Sequence, residues 1–203
     1  MSFPLWLGFA AASAVLLVIP GPTVLLVVSY ALGQGRRSGL ATVAGVALGD
    51  LTAMTASMLG LGAVLAASAA AFGVLRWVGA AYLVYLGIKL WRAPVAALEA
   101  GEASHRRMLL HAYAVTALNP KSIVFFIAFV PQFLDAARPF APQMAVMVAT
   151  FVGLAAVNAA AYALLAAGAR RFFRRPSARR AINRLGGGAL VGAGLLAAAW
   201  RRA

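Results

Sequence analysis

The chain has 203 residues, of which 64% are hydrophobic and 11% charged, against about 25% charged in a soluble domain. That excludes an ordinary soluble fold and leaves no length for a separate soluble domain beside a membrane-spanning one. The net charge of +14 would suit nucleic acid, but the arginines cluster in connections between apolar runs, the positive-inside pattern, so no nucleic-acid partner is expected.

Apolar runs of about 18 or more residues recur along the chain and predict transmembrane helices. Cysteine is absent, which excludes disulfides, thiolate metal sites and cysteine nucleophiles. No Lys or Arg precedes Arg36, so the basic n-region of a cleavable signal is lacking and the first helix is expected to stay in the mature protein.

Helix 1 is predicted from about Phe3 to Leu32. Thirty residues would span about 45 Å, too long for one straight crossing. Pro20-Gly21-Pro22 removes donors in its middle, so two half-helices are expected. Gly33 to Gly39 is a polar turn. Helix 2, about Leu40 to Ala66, is rich in small residues that allow close packing. Ser68 to Phe72 reads as a turn. Helix 3 follows from about Leu75 to Trp91, with Trp77 and Trp91 suited to the two interfaces.

Pro94 to Arg107 is the longest polar connection and holds Glu99, Glu102 and His105. His105 and His111 read as solvated, and no His/Asp/Glu cluster has metal spacing, so no metal and no cofactor is expected. Helix 4, about Leu109 to Leu134, is interrupted at Asn119-Pro120-Lys121. Asp135 to Pro142 is a turn. Helix 5, about Gln143 to Ala167, carries one amide, Asn158. A basic loop from Arg170 to Arg180 precedes helix 6, about Ile182 to Trp200, whose glycines suit packing within the chain or between two protomers of a homodimer.

Among four acidic residues only Asp50 lies deep in an apolar segment. An acid there costs about 2.5–3.5 kcal/mol on insertion scales and usually marks an ion or substrate path. The plainer alternative is an acid satisfied by a neighbouring Ser, Thr or Lys for packing alone.

The halves match at several landmarks. Pro20-Gly21-Pro22 answers Asn119-Pro120, and Gly45 with Asp50 answers Gly153 with Asn158. Gly79, Leu83 and Gly87 answer Gly186, Leu190 and Gly194. Each half has three helices, so the second must be inserted upside down. The expected fold is thus all-α: one domain, 1–203, of six transmembrane helices in two inverted repeats, about 3–92 and 109–202, with helices 1 and 4 broken. Paired broken helices near the midplane are a pattern of secondary transporters. Pro22, Asp50, Asn119, Lys121 and Asn158 all fall roughly 13–18 Å deep at 1.5 Å per residue. Half-helix starts near Thr23 and Ser122 offer unpaired N–H groups to a carboxylate. Asp50 offers an acceptor to an ammonium or carries a proton, and Lys121 either pairs with it or snorkels to the interface.

At these residues the chain resembles the LysE/RhtB family of bacterial amino-acid exporters. The likeness rests on Pro20-Gly-Pro22, Gly33 to Gly39, Gly45 to Gly49, Tyr82 to Trp91, and Leu118-Asn-Pro-Lys-Ser122 with Phe125-Phe126. It implies a six-helix inner-membrane carrier, not an enzyme, that moves amino acids out of the cytoplasm by proton antiport. Many members differ at Thr23, which leaves the choice of substrate open.

The site set is therefore Asp50, Pro20, Gly21, Pro22, Thr23, Asn119, Pro120, Lys121 and Asn158. Partners are an amino-acid substrate, protons and membrane lipid. Arg36, Arg37, Lys89, Arg92, Arg106 and Arg107, with the cluster from Arg170 to Arg184, mark the cytoplasmic side, so both termini are expected in the periplasm. The alternative is a small-solute or metal-ion exporter or channel on the same scaffold.

Overall fold

A computed structural model describes residues 1–67, 69–92, 103–135, 137–168 and 175–199. Among the described residues every regular element is helical and there is no strand.

Helix α1, Phe3–Val18, carries Pro4 in its first turn, where a missing N–H loses no helical bond. The chain breaks at Ile19 to Gly21 and resumes as α2, Pro22–Gln34, again with proline first. The expected break in helix 1 is present. Gly35 follows at φ 69°, the sole positive φ among the described residues, and opens a 3-10 turn, Gly35–Ser38. Helices α3, Gly39–Ala67, and α4, Ala69–Trp91, come next. The second broken pair is α5, His105–Ala117, and α6, Pro120–Ala128, extended by a 3-10 turn, Val130–Phe133. Helix α7 is Phe140–Gly168 and α8 is Pro176–Ala199.

Four expected connections are shorter than the composition suggests. Ala69 to Phe72 belong to α4, because an alanine run favours helix. His105, Arg106 and Arg107 form the first turn of α5, where the Ser104 hydroxyl accepts from the Arg107 N–H at 3.3 Å. Phe140 to Pro142 open α7, and α8 begins at Pro176, six residues before the expected Ile182. Proline suits the first turn, so it starts these helices and does not precede them. Ser68, Glu99, Glu102, the arginines at 170, 171 and 174, and the chain end from Trp200 lie outside the described residues.

The helical runs Pro22–Gly60 and Phe140–Gly168 are long and apolar enough to cross a bilayer. The pair His105–Ala117 and Pro120–Phe133, bent by 42°, makes a third if taken as one span, and Phe3–Val18 is apolar but shorter. Among the described residues, length and apolarity alone thus define two crossings, or three, of the six expected.

Glycine sets the closest helix contacts. Gly45 and Gly49 of α3 lie four apart and face α5. A Cβ on Gly49 would fall 2.7 Å from Thr116 Cβ, and one on Gly45 would strike the Leu109 carbonyl. Gly87 of α4 and Gly187 of α8 approach so closely that a Cβ on either would lie 2.6 Å from the other's carbonyl oxygen. The small-residue faces of helices 2 and 6 therefore pack within the chain. The aromatic core joins α6 to α7, where Phe126 meets Phe151 edge-on at 4.8 Å. Val157, Leu118 and Leu185 are at least 70% exposed, as outward apolar side chains are in lipid.

Candidate functional site at the paired helix breaks

A helix that ends leaves its last carbonyls without partners. At the end of α1, side chains from two other helices close those carbonyls. Lys121 Nζ donates to the carbonyls of Leu16 at 3.1 Å and Ile19 at 2.8 Å. Asn158 Nδ2 donates to the Leu17 carbonyl at 3.0 Å, and the Tyr162 hydroxyl to the Val18 carbonyl at 2.8 Å. Four successive carbonyls are thus satisfied by three side chains. The ammonium also suits the negative end of the α1 dipole. Lys121 is 6% exposed, so the snorkelling alternative does not hold.

The second break is tied to the first. Asn119 caps α6, its Oδ1 accepting from the Lys121 N–H at 3.1 Å. Its Nδ2 donates to Thr23 Oγ1 at 3.1 Å, and the Thr23 and Thr116 hydroxyls share a hydrogen bond of 3.2 Å. The start of α6 is therefore self-capped. The start of α2, at Pro22 and Thr23, has no side-chain cap on its N–H groups.

Asp50 stands mid-way along α3, next to Gly49 and its contact with Thr116. It is 2% exposed, and its Oδ1 has no hydrogen-bond partner. Asp50 and Lys121 form no ion pair within 4.0 Å; among the described residues that contact belongs to Arg138 and Asp135, at 3.2 Å. The direct Asp50–Lys121 pair entertained from the sequence is not formed: the lysine sits on the carbonyls at the end of α1 and the acid on α3.

The structure gathers Gly21, Pro22, Thr23, Asn119, Pro120, Lys121 and Asn158 at one junction, with Pro20 in the break itself. A Cβ on Gly21 would lie 3.4 Å from both Cε and Nζ of Lys121. Two members were not singled out from sequence. Tyr162 follows Asn158 by one helical turn, and that i,i+4 spacing was the available signal. Thr116 carried none. Ser13 is also fully buried with no partner for its hydroxyl. His105 and His111 are both exposed, the latter bonded through Nδ1 to the Tyr30 hydroxyl at 3.0 Å. No group of three metal-ligating side chains occurs among the described residues.

Polar groups gathered at paired helix breaks inside an apolar, all-helical bundle define a class, a membrane transport protein. Within that class, the chain belongs to the LysE type translocator family, which matches residues 14–199. This is a family of translocators and not of enzymes. Over 98% of both chains it is 36% identical to a Vibrio cholerae protein named an uncharacterized membrane protein. Over the whole of both chains it is 32% identical to the homoserine/homoserine lactone efflux protein of Salmonella typhimurium. Over 59% of both it is 33% identical to the leucine efflux protein of an Enterobacter species. No solved structure matches the chain at a significant level.

Proposed function

We propose that this bacterial membrane protein is a secondary active transporter that exports amino acids or closely related metabolites from the cytoplasm by proton antiport. The observation that carries the reading is Asp50, a buried carboxylate with an unpartnered oxygen beside two broken helices. A buried acceptor without a partner is costly unless it serves a ligand or proton. Relatives matched along the full chain or more than half of it are named for efflux of homoserine, its lactone and leucine, and two of those three cargoes are α-amino acids.

A zwitterion fits the charges. Its ammonium goes to Asp50. Its carboxylate goes to the uncapped N–H groups at the start of α2, where the helix dipole favours an anion. Pro20, Gly21, Pro22, Asn119 and Pro120 hold the breaks open. Thr23 and Asn158 fix them through their hydrogen bonds, and Lys121 supplies positive charge.

The chain crosses the inner membrane six times as two inverted repeats, with α1–α2 and α5–α6 as the broken members. The broken pairs and the arginine distribution support this arrangement, and the latter also supports periplasmic termini. A homodimer in lipid is the remaining expectation on partners.

The test is excretion of homoserine, leucine and other amino acids from cells expressing the wild type, Asp50→Asn or no transporter. Selective excretion that disappears in the variant, with both proteins present in the membrane, is the expected result. Equal excretion by Asp50→Asn and wild type would sink the role given to the acid.

A further inference from the structure

Asp50 and Lys121 are the only buried charged side chains among the described residues. Lys121 occupies the carbonyls of Leu16 and Ile19, and its helix α6 packs against α3, whose Asp50 carboxylate retains an oxygen without a partner. We propose that Lys121 is the carrier's own exchangeable cation, resting on α1 while Asp50 holds a proton or a substrate ammonium, and crossing to Asp50 when that cargo leaves. The inference rests on the export reading above and assigns the residue that enforces coupling.

Three features support it. An emptied Asp50 is a bare carboxylate in an apolar bundle, and the one buried cation among the described residues, Lys121, lies on α6, which packs against α3. The other ionisable group at this junction, the Tyr162 hydroxyl, is committed to the Val18 carbonyl. Next, α1 does not depend on Lys121 alone. Asn158 and Tyr162 keep two of the four carbonyls closed when the ammonium departs. Finally, Gly21 is extended, with φ −140°, a conformation open to any residue. Backbone freedom does not require glycine there. A Cβ there would meet the Cδ, Cε and Nζ of Lys121 at 3.4–3.6 Å, ordinary van der Waals contact, so a larger side chain would be needed to intrude on the lysine stem.

The cycle follows from the proton count. On the cytoplasmic side a substrate ammonium displaces the proton from Asp50, and that proton is released inward. The carrier turns outward and the substrate leaves. Lys121, which keeps its own proton throughout, pairs with the bare carboxylate and holds the empty carrier in place. A periplasmic proton then binds Asp50, frees Lys121 to return to Leu16 and Ile19, and allows the carrier to turn back. One proton enters for each substrate exported, and the empty carrier does not slip.

The experiment uses the full-length protein in liposomes with labelled homoserine and leucine. It compares counterflow at equal pH with accumulation driven by an acidic interior. Lys121→Met is expected to lower accumulation at least about tenfold more than counterflow, because slip dissipates the gradient. Lys121→Arg should restore part of the difference. Gly21→Val, whose two methyls extend beyond a Cβ already in van der Waals contact with the stem, should shift the same ratio in the same direction. Wild-type coupling in Lys121→Met overturns the proposal. So does equal loss of both activities in a well-folded Lys121→Met, which would make the lysine a fixed cap. Where the lysine variants fail to fold, an unchanged ratio in Gly21→Val overturns it. If wild type moves neither compound in either assay, the export reading falls and the coupling role falls with it.

Discussion

Asn158 and Tyr162, one turn apart on α7, close two adjacent carbonyls of α1, those of Leu17 and Val18. A helix that ends inside an apolar bundle has no water to do this, so the cap must come from the protein. Tyr162→Phe removes one donor and leaves the Val18 carbonyl unpaired. The expected loss is about 1–3 kcal/mol, the range for an orphaned acceptor, read as a lower thermal midpoint in detergent. Asn158→Leu should act similarly through Leu17. A Tyr162→Phe protein as stable as wild type would show that the hydroxyl contributes nothing to the cap.

Asn119 does two jobs that substitution can separate. Its oxygen caps α6, and its nitrogen holds Thr23. Asn119→Asp keeps the acceptor and loses the donor, while Asn119→Ala loses both. The alanine variant should lose about 0.5–2 kcal/mol, the usual value of an N-cap, with the aspartate variant between it and wild type. Thermal melts of the three proteins in one detergent decide the order.

Asp50 opposes stability where it serves function. Insertion scales put an acid at a helix centre at about 2.5–3.5 kcal/mol, and no hydrogen bond to Oδ1 offsets this. Asp50→Leu is expected to raise the thermal midpoint and abolish transport. A lower midpoint would mean that the carboxylate is a packing element after all.

The α3–α5 crossing admits no methyl group. Gly49→Ala places a Cβ 2.7 Å from that of Thr116, and the helices must part to accept it. Overpacking of this kind costs about 1–3 kcal/mol, and Thr116→Ser should not recover it, because serine keeps the Cβ and the Tyr113 carbonyl oxygen would still lie 2.8 Å away. Size-exclusion profiles of the single and double variants report the outcome.

The helix breaks were legible in the sequence because proline and glycine act locally. Pro20-Gly21-Pro22 and Asn119-Pro120 end helices wherever they occur in a chain. Asp50 was legible for the opposite reason, as a lone acid among apolar neighbours. The partner of Lys121 was not, because backbone carbonyls exposed by a break carry no side-chain signature. Tyr162 was not singled out, because a lone tyrosine in an apolar helix carries no sign of the backbone carbonyl it meets. The proposed repeat landmarks also take different surroundings. Gly45 is pressed against α5, whereas a Cβ on Gly153 would meet open space. Asn158 closes a carbonyl while Asp50 keeps a free oxygen. Matched spacing placed these residues without assigning their tasks.

The contact between Gly87 and Gly187 bears on how the chain is assembled. Its two members are separated by about 100 residues, which a ribosome adds at about 5–20 per second. Helix α4 therefore waits for roughly 5–20 s with a glycine-lined face that α8 covers in the finished protein. A chain stopped before Pro176 would leave that face bare for good. Membrane quality control would then have a mark by which to tell an unfinished carrier from a complete one.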